Sequence, residues 1–165
     1  MKEIEVCLTP DLIELYDLKG KIVVIVDILR ATSCITTGIA NGIAAIRPVA
    51  TLAECKDLQN QGYIAAAERG GLKVDGFELG NSPFGYMLEH LHGQKIAMTT
   101  TNGTTAIAKS LEARQIIIGS FLNFTTTVNY LKKQPCDILI HCAGWKGKIN
   151  LEDSLFAGAV VDALK

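Results

Sequence analysis

Residues 22–27 read Ile22-Val23-Val24-Ile25-Val26-Asp27. A continuously hydrophobic run of this length suits a strand buried on both faces of a sheet, which in turn requires helices or loops packed on either side. Outward from it, apolar runs of strand length alternate with helix-like segments: Ile4–Leu8, Ala44–Val49, Tyr63–Ala66, Ile96–Thr99, Gln115–Ile118 and Asp137–Cys142 read as further strands. Between them lie helix punctuation marks. Thr51 with Glu54 forms a capping box, and Gly62 ends the helix it starts. Ser82-Pro83 reads as an N-cap with proline at the first helical position, and Asn150 caps a final helix with Glu152 and Asp153 in its first turn. The alternation predicts an α/β fold of three layers, α/β/α, around a largely parallel or mixed sheet.

The chain has 165 residues, suited to a single domain over residues 1–165. Hydrophobic residues make up 48% and charged residues 20%, so a packed core is expected. Sixteen basic against 17 acidic residues leave a net charge of −1, which argues against a nucleic-acid platform. Five cysteines, an odd number with no C-x-x-C spacing, and an N-terminus unlike a signal peptide point to reduced thiols and a cytoplasmic location. No apolar stretch approaches the roughly 18 residues of a membrane span. The partner expected is a small molecule, with no nucleic acid and no membrane; homo-oligomerisation stays open.

Residues 22–49 and 95–118 share a layout of strand, polar turn with Thr32 or Thr104, small-residue helix and strand. Either the chain carries an internal duplication or two ordinary β-α-β units look alike. The segment Glu68 to Ser82, with four glycines and no periodicity, reads as a long functional loop.

Polar residues collect just past strand ends, where open α/β sheets bind ligands. Asp27 is followed by Arg30, Glu68 by Arg69, and the strand ending at Thr99 by Thr100, Thr101 and Asn102. Cys142 is followed by Trp145 and Lys146, with Glu152 and Asp153 beyond. An acid closing an apolar strand is costly to desolvate unless a metal or cation meets it, although Asp27 could equally cap the helix after it. Arg30 and Arg69 suit tetrahedral oxyanions, or pair with Asp27 and Glu68. The threonine-rich turn is a natural phosphate cradle or a plain N-cap. There is no Walker A loop, no strand-linked G-x-G-x-x-G and no paired D-x-D acid after residue 27. His141-Cys142 with Lys148 approximates the cysteine-phosphatase loop, but lysine stands where that chemistry uses arginine.

Four segments, VVIVDILRATS (23–33), AERGGLKVDGFELGNSP (67–83), TTTNGT (99–104) and CAGWKGKINLEDSLFAGAVV (142–161), resemble the 2-phosphosulfolactate phosphatase family. They cover most of the chain in order and spacing. The resemblance implies a Mg²⁺-dependent phosphatase that converts 2-phospho-3-sulfolactate to 3-sulfolactate and phosphate, a step of coenzyme M biosynthesis, on a layered α/β/α fold. It implies Asp27, Arg30, Glu68, Arg69, Asn81, Thr100, Thr101, Asn102, Glu152 and Asp153 as site residues. Mg²⁺ prefers oxygen ligands, so Asp27, Glu152 and Asp153 are its expected holders, and Lys146 joins the substrate-binding set. Asp27 as a covalent nucleophile is the other assignment. Members of that family run on past the position matching Lys165, so the chain reads as shortened relative to them. Two other readings remain open: an inactive binding module for a phosphorylated or sulfonated acid, and a metal-independent cysteine phosphatase using Cys142.

Overall fold

The computed structural model describes residues 2–165. Its strands are β1 (Ile4–Cys7), β2 (Ile22–Val26), β3 (Ala45–Pro48), β4 (Ile64–Arg69), β5 (Leu72–Lys73), β6 (Lys95–Thr99), β7 (Gln115–Gly119) and β8 (Ile138–Cys142). Its α-helices are α1 (Ala31–Ala40), α2 (Leu52–Asn60), α3 (Gly103–Ala108), α4 (Phe124–Lys132) and α5 (Leu151–Leu164). The strands form two four-stranded sheets, β1-β8-β2-β7 and β3-β6-β4-β5, where a single sheet was the simpler expectation. Every pairing is parallel except the short β4–β5 hairpin. The class is α/β, as the sequence predicts.

Strand β2 sits between β8 and β7, and all five of its residues are buried. Burying each such side chain contributes about 2 kcal/mol, which makes this strand the centre of the first sheet. Its residues alternate between two cores. Ile22, Val24 and Val26 face α4 and α5, whose Phe156, Val160 and Leu131 complete that layer. Val23 and Ile25 face the opposite side, with Ile107 of α3 and Ile13 of the 3-10 turn Pro10–Leu15. The second sheet is sandwiched likewise, by α1 and Tyr86 on one face and by α2 on the other. Each sheet is thus covered on both sides, the condition parallel strands require.

The punctuation works as chemistry predicts at two places. Thr51 and Glu54 exchange side-chain-to-backbone bonds in a complete capping box, and Asn150 Oδ1 accepts from Asp153 N at 3.3 Å. At Ser82-Pro83 the expected N-cap and first-position proline are present, but the helix they start is of the 3-10 type. This 3-10 turn, Pro83–Met87, ends where buried Tyr86 donates its hydroxyl to the Gly80 carbonyl.

The two similar segments connect the sheets in opposite senses. The β2-α1-β3 unit leaves the first sheet for the second, and β6-α3-β7 returns. Both carry the same threonine clasp. Thr32 Oγ1 accepts from Asp27 N and donates to Asp27 O, at 3.1 and 2.8 Å. Thr104 Oγ1 does the same with Thr100 N and O, at 3.1 and 2.9 Å. Asp27 and Thr100, each the first residue past its strand, therefore hold similar places in two turns that differ by one residue in spacing.

Candidate active site

The matched turns meet back to back. Asp27 Oδ1 accepts from the Ala31 amide at 3.2 Å, and Thr100 Oγ1 accepts from the Thr104 amide at 3.2 Å, so each strand-end side chain caps its own helix. Asp27's expected cap role is thus present in part, with one oxygen. The other oxygen faces α3: a Cβ on Gly103 would stand 2.7 Å from Asp27 Oδ2 and 2.6 Å from the Ala31 methyl. Only a residue without a side chain lets the two helix starts approach this closely.

A second pair of matched contacts involves acids. The amide after Asp27, Ile28 N, donates to Asp153 Oδ1 at 2.9 Å; the amide after Thr100, Thr101 N, donates to Glu68 Oε2 at 3.1 Å. Asp153 Oδ2 accepts from Gly144 N at 3.1 Å. Glu68 Oε1 accepts from Gly71 N at 2.5 Å and from Thr101 Oγ1 at 3.2 Å. Both acids are buried, at 0% and 3% exposure, and every carboxylate oxygen is occupied by a main-chain or hydroxyl donor. They tie together the loops on which the site is built.

Asp27, Glu68 and Asp153 have no ion-pair partner among the described residues, where the pairs are Lys21 with Glu5, His90 with Glu78 and Lys109 with Asp11. The electrostatic consequence falls on Asp27. Burial pushes its carboxyl up to about 7, and the neighbouring Asp153 and Glu68 push the same way against the opposing Ala31 and Gly103 amides. Burial likewise lifts Asp153 to about 6, against the pull of the Ile28 and Gly144 amides and the Asn150 side chain. An acidic pocket of this kind attracts a cation.

The arginines stand at the rim without the ion pairs that a purely structural role would give them. Arg69 donates to the Glu68 carbonyl at 2.6 Å and to Thr99 Oγ1 at 3.0 Å, spanning β4 and β6. Arg30, at the N-cap of α1, reaches the Gly71 carbonyl at 3.5 Å. Asn81 Oδ1 accepts from the Cys34 thiol at 3.4 Å over the first turns of α1, near enough for Arg30 and Asp27 to influence that thiol. Asn102 Oδ1 accepts from Lys146 N at 3.4 Å, bringing the Trp145–Lys148 turn beside the start of α3. Glu152 lies next to Asp153 in the first turn of α5, half-buried and without a hydrogen bond of its own.

Among the described residues no cluster of three or more His, Cys, Asp or Glu could cage a metal. The donor chemistry still fits Mg²⁺, which takes one or two carboxylates plus phosphate oxygens and water. Of the three expected holders, Asp27 accepts from Ala31 on Oδ1 with the Gly103 amide beside its carboxyl, and each oxygen of Asp153 accepts from one amide.

The cysteine alternative is corrected by burial. Cys142 is wholly enclosed in the core against α4 and α5, and desolvation raises its thiol far above the range in which a thiolate forms. His141 faces the opposite core, bonded through Nδ1 to Ser110 Oγ at 2.8 Å, and burial lowers it to about 4. Neither residue is offered to a substrate.

Sequence reasoning did not find the paired threonine clasp or the clamping role of Glu68. The spacing from strand-end residue to threonine, five in one turn and four in the other, was the available signal for the first.

The sequence has relatives among known proteins. The profile described as 2-phosphosulpholactate phosphatase matches residues 7–165. Two proteins named "Probable 2-phosphosulfolactate phosphatase" are similar to the chain: that of Thermotoga maritima is 46% identical over 142 residues, and that of Caldanaerobacter subterraneus subsp. tengcongensis 42% over 153. The alignments cover 86% and 90% of this chain but 62% and 64% of those relatives. A Clostridium perfringens protein of the same name is 36% identical across 98% of this chain and 68% of its own length. The chain therefore spans less than two thirds of the first two relatives, and it belongs to the 2-phosphosulfolactate phosphatase family.

Proposed function

We propose that the chain carries the phosphatase site of a Mg²⁺-dependent 2-phosphosulfolactate phosphatase, releasing 3-sulfolactate and phosphate. Where coenzyme M is made, that product would enter its synthesis. The observation that carries the reading is the placement of Asp27: a buried acid at the junction of two helix starts, without an ion-pair partner, facing the Thr100–Asn102 turn across the Gly103 contact.

Phosphoryl transfer asks mainly for positioning and charge neutralisation. Asp27, with Glu152 nearby on α5, would hold Mg²⁺, and the ion when bound would neutralise charge on the phosphoryl oxygens. Arg30 and Arg69 grip the phosphoryl group from the rim. The Thr101–Asn102 turn orients it through the Asn102 amide groups, the Thr101 amide and hydroxyl being engaged by Glu68. Asp153 and Glu68 fix the loops that present these groups. Among the described residues no helix is long and apolar enough to cross a membrane.

Two predictions test this. Phosphate release from 2-phospho-3-sulfolactate should fall at least about tenfold in EDTA and return with added Mg²⁺. Full activity in chelator would remove the metal, and phosphate binding without any release would make the chain a binding module. Replacing Arg30 or Arg69 with Lys should lower kcat/KM by at least about tenfold, because an ammonium cannot reproduce the guanidinium fork. Wild-type kinetics in both variants would confine these arginines to their main-chain contacts.

A further inference from the structure

Beside the Thr101–Asn102 turn lies a cavity of about 260 Å³. Its walls are Asp11 on the 3-10 turn, Thr101, Asn102 and Lys109 on or flanking α3, and Ala143 and Lys146 after β8. Two of these walls are shared with the phosphatase site. Thr101 bonds Glu68, and Ala143 N donates to the carbonyl of Val26, the residue before Asp27, at 2.7 Å. The cavity runs along α3 from Asn102 to the helix's C-cap, Lys109. Six residues separate Gly103 from Lys109, about 9 Å of helix at 1.5 Å per residue.

Its charge is biased. Two lysines face one aspartate, and the Lys109–Asp11 pair is loose: the charged atoms are 3.9 Å apart and both side chains are substantially exposed, 41% and 66%. Such a pair contributes little, so Lys109 retains its capacity for an anion. Its firm contact is with the Pro10 carbonyl at 3.0 Å, which holds the ammonium over the cavity rather than neutralising it. Lys146 is set by a less common device. It is the one non-glycine residue among those described with a left-handed backbone, φ 50°, an arrangement that costs about 1 kcal/mol for a side chain with a Cβ. That conformation turns its amide onto Asn102 Oδ1 at 3.4 Å, while its ammonium lies over the Trp145 ring, 5.5 Å from the centroid. Uncommon backbone held by a tertiary contact beside a reaction site is a reason to look for a ligand there.

We infer that this cavity is the subsite for a non-phosphoryl anion of the substrate, carboxylate or sulfonate, with Lys109 and Lys146 supplying its charge. The inference rests on the phosphatase reading and adds to it a basis for choosing acidic substrates. A phosphoryl group at Asp27 and the Thr101–Asn102 turn leaves the acid tail of a three-carbon molecule to lie along α3. The volume falls below the roughly 300–1,000 Å³ of drug-sized pockets, as a short acid requires.

Calorimetric titration with 3-sulfolactate, which carries no phosphate, and with inorganic phosphate tests it without turnover. Lys109→Met should weaken 3-sulfolactate about tenfold relative to phosphate, and Lys109→Arg, which keeps the charge, should restore affinity to within about threefold. Repeating the titration with lactate distinguishes a held carboxylate, which Lys109→Met weakens, from a held sulfonate, which it does not; either supports the subsite. Unchanged 3-sulfolactate affinity in Lys109→Met, equal loss for both ligands, or no 3-sulfolactate binding by the wild-type chain would each overturn it. Absence of phosphate release by the wild-type chain would instead count against the phosphatase reading, with the titrations still deciding the subsite.

Discussion

Asp27→Asn is expected to lose at least about a thousandfold in phosphate release while melting, in chelator near pH 8, at or above the wild-type temperature. The two halves of that result have one cause. Asp27 is 7% exposed at the end of a fully buried strand, and desolvation pushes its carboxyl from the ordinary 3.8 to about 7. A folded state that raises an acid's pKa binds its proton more tightly than the unfolded state does. The folded state is therefore favoured fully below about 3.8, loses that advantage as the pH rises to about 7, and bears the ionised acid above it. The interval corresponds to roughly 4 kcal/mol as an upper figure. Asparagine keeps the oxygen that accepts from Ala31 and removes the charge, but its amide nitrogen faces the Gly103 side. A net gain of about 1–2 kcal/mol, or roughly 2–8 °C in Tm, is what remains at pH 8. At pH 4 the gain should vanish, because the wild-type acid is then protonated too. Chemistry is lost over the same substitution because the neutral amide binds a hard cation far more weakly than a carboxylate and cannot act as a nucleophile. If Asp27 serves only as a helix cap, asparagine replaces it well and phosphate release survives. Melting curves at both pH values and phosphate release with Mg²⁺ on one preparation separate these outcomes.

Legibility in the sequence differs from residue to residue. The Ile22–Val26 run announced a strand buried on both faces because burial of that kind leaves no polar alternation. It could not announce its neighbours: β7 and β8 lie 93 and 116 residues further on, and parallel pairing is settled by packing between distant segments. For the same reason two sheets could not be told from one. Thr51 with Glu54 was legible because the capping box is a local exchange. Leu72–Lys73, a two-residue strand with both residues exposed, left no hydrophobic pattern to find. At the site, the acids and arginines were legible from their positions past strand ends. Their partners were not. Asp153 looks like a first-turn helix acid in sequence, and what distinguishes it is the pair of amides from residues 28 and 144 that it accepts.

The hydrogen-bond partners of Glu68 make it a clamp and leave only one acceptor site for a role as general base. A base needs a free lone pair aimed at its water, whereas three of the four acceptor sites of Glu68 receive protein donors: Gly71 N and Thr101 Oγ1 on one oxygen, Thr101 N on the other. The carboxylate thus ties the β4–β5 hairpin to the turn that starts α3. Glu68→Gln changes the size of the side chain hardly at all but replaces one acceptor oxygen with a donor. Its NH₂ must then face either the Gly71 or the Thr101 amide, donor to donor, in a site only 3% exposed. Losing a charge-assisted bond costs about 1.5–3 kcal/mol and stranding a buried amide about 1–3, so a destabilisation of roughly 3 kcal/mol is expected. For a chain of this length that lowers Tm by about 6–12 °C. Catalysis should suffer through the substrate as well: a loosened Thr101–Asn102 turn raises KM along with lowering kcat, by about tenfold in their ratio. Glu68→Asp, one methylene shorter, cannot span both loops and should melt early too. A base would behave differently, since Glu68→Gln would then leave the melting temperature and KM near wild type and reduce kcat alone. Thermal melts in chelator, set beside KM and kcat with Mg²⁺ for the same two variants, therefore decide between a clamp and a base, and a stable, tightly binding, inactive Glu68→Gln protein would end the clamp assignment.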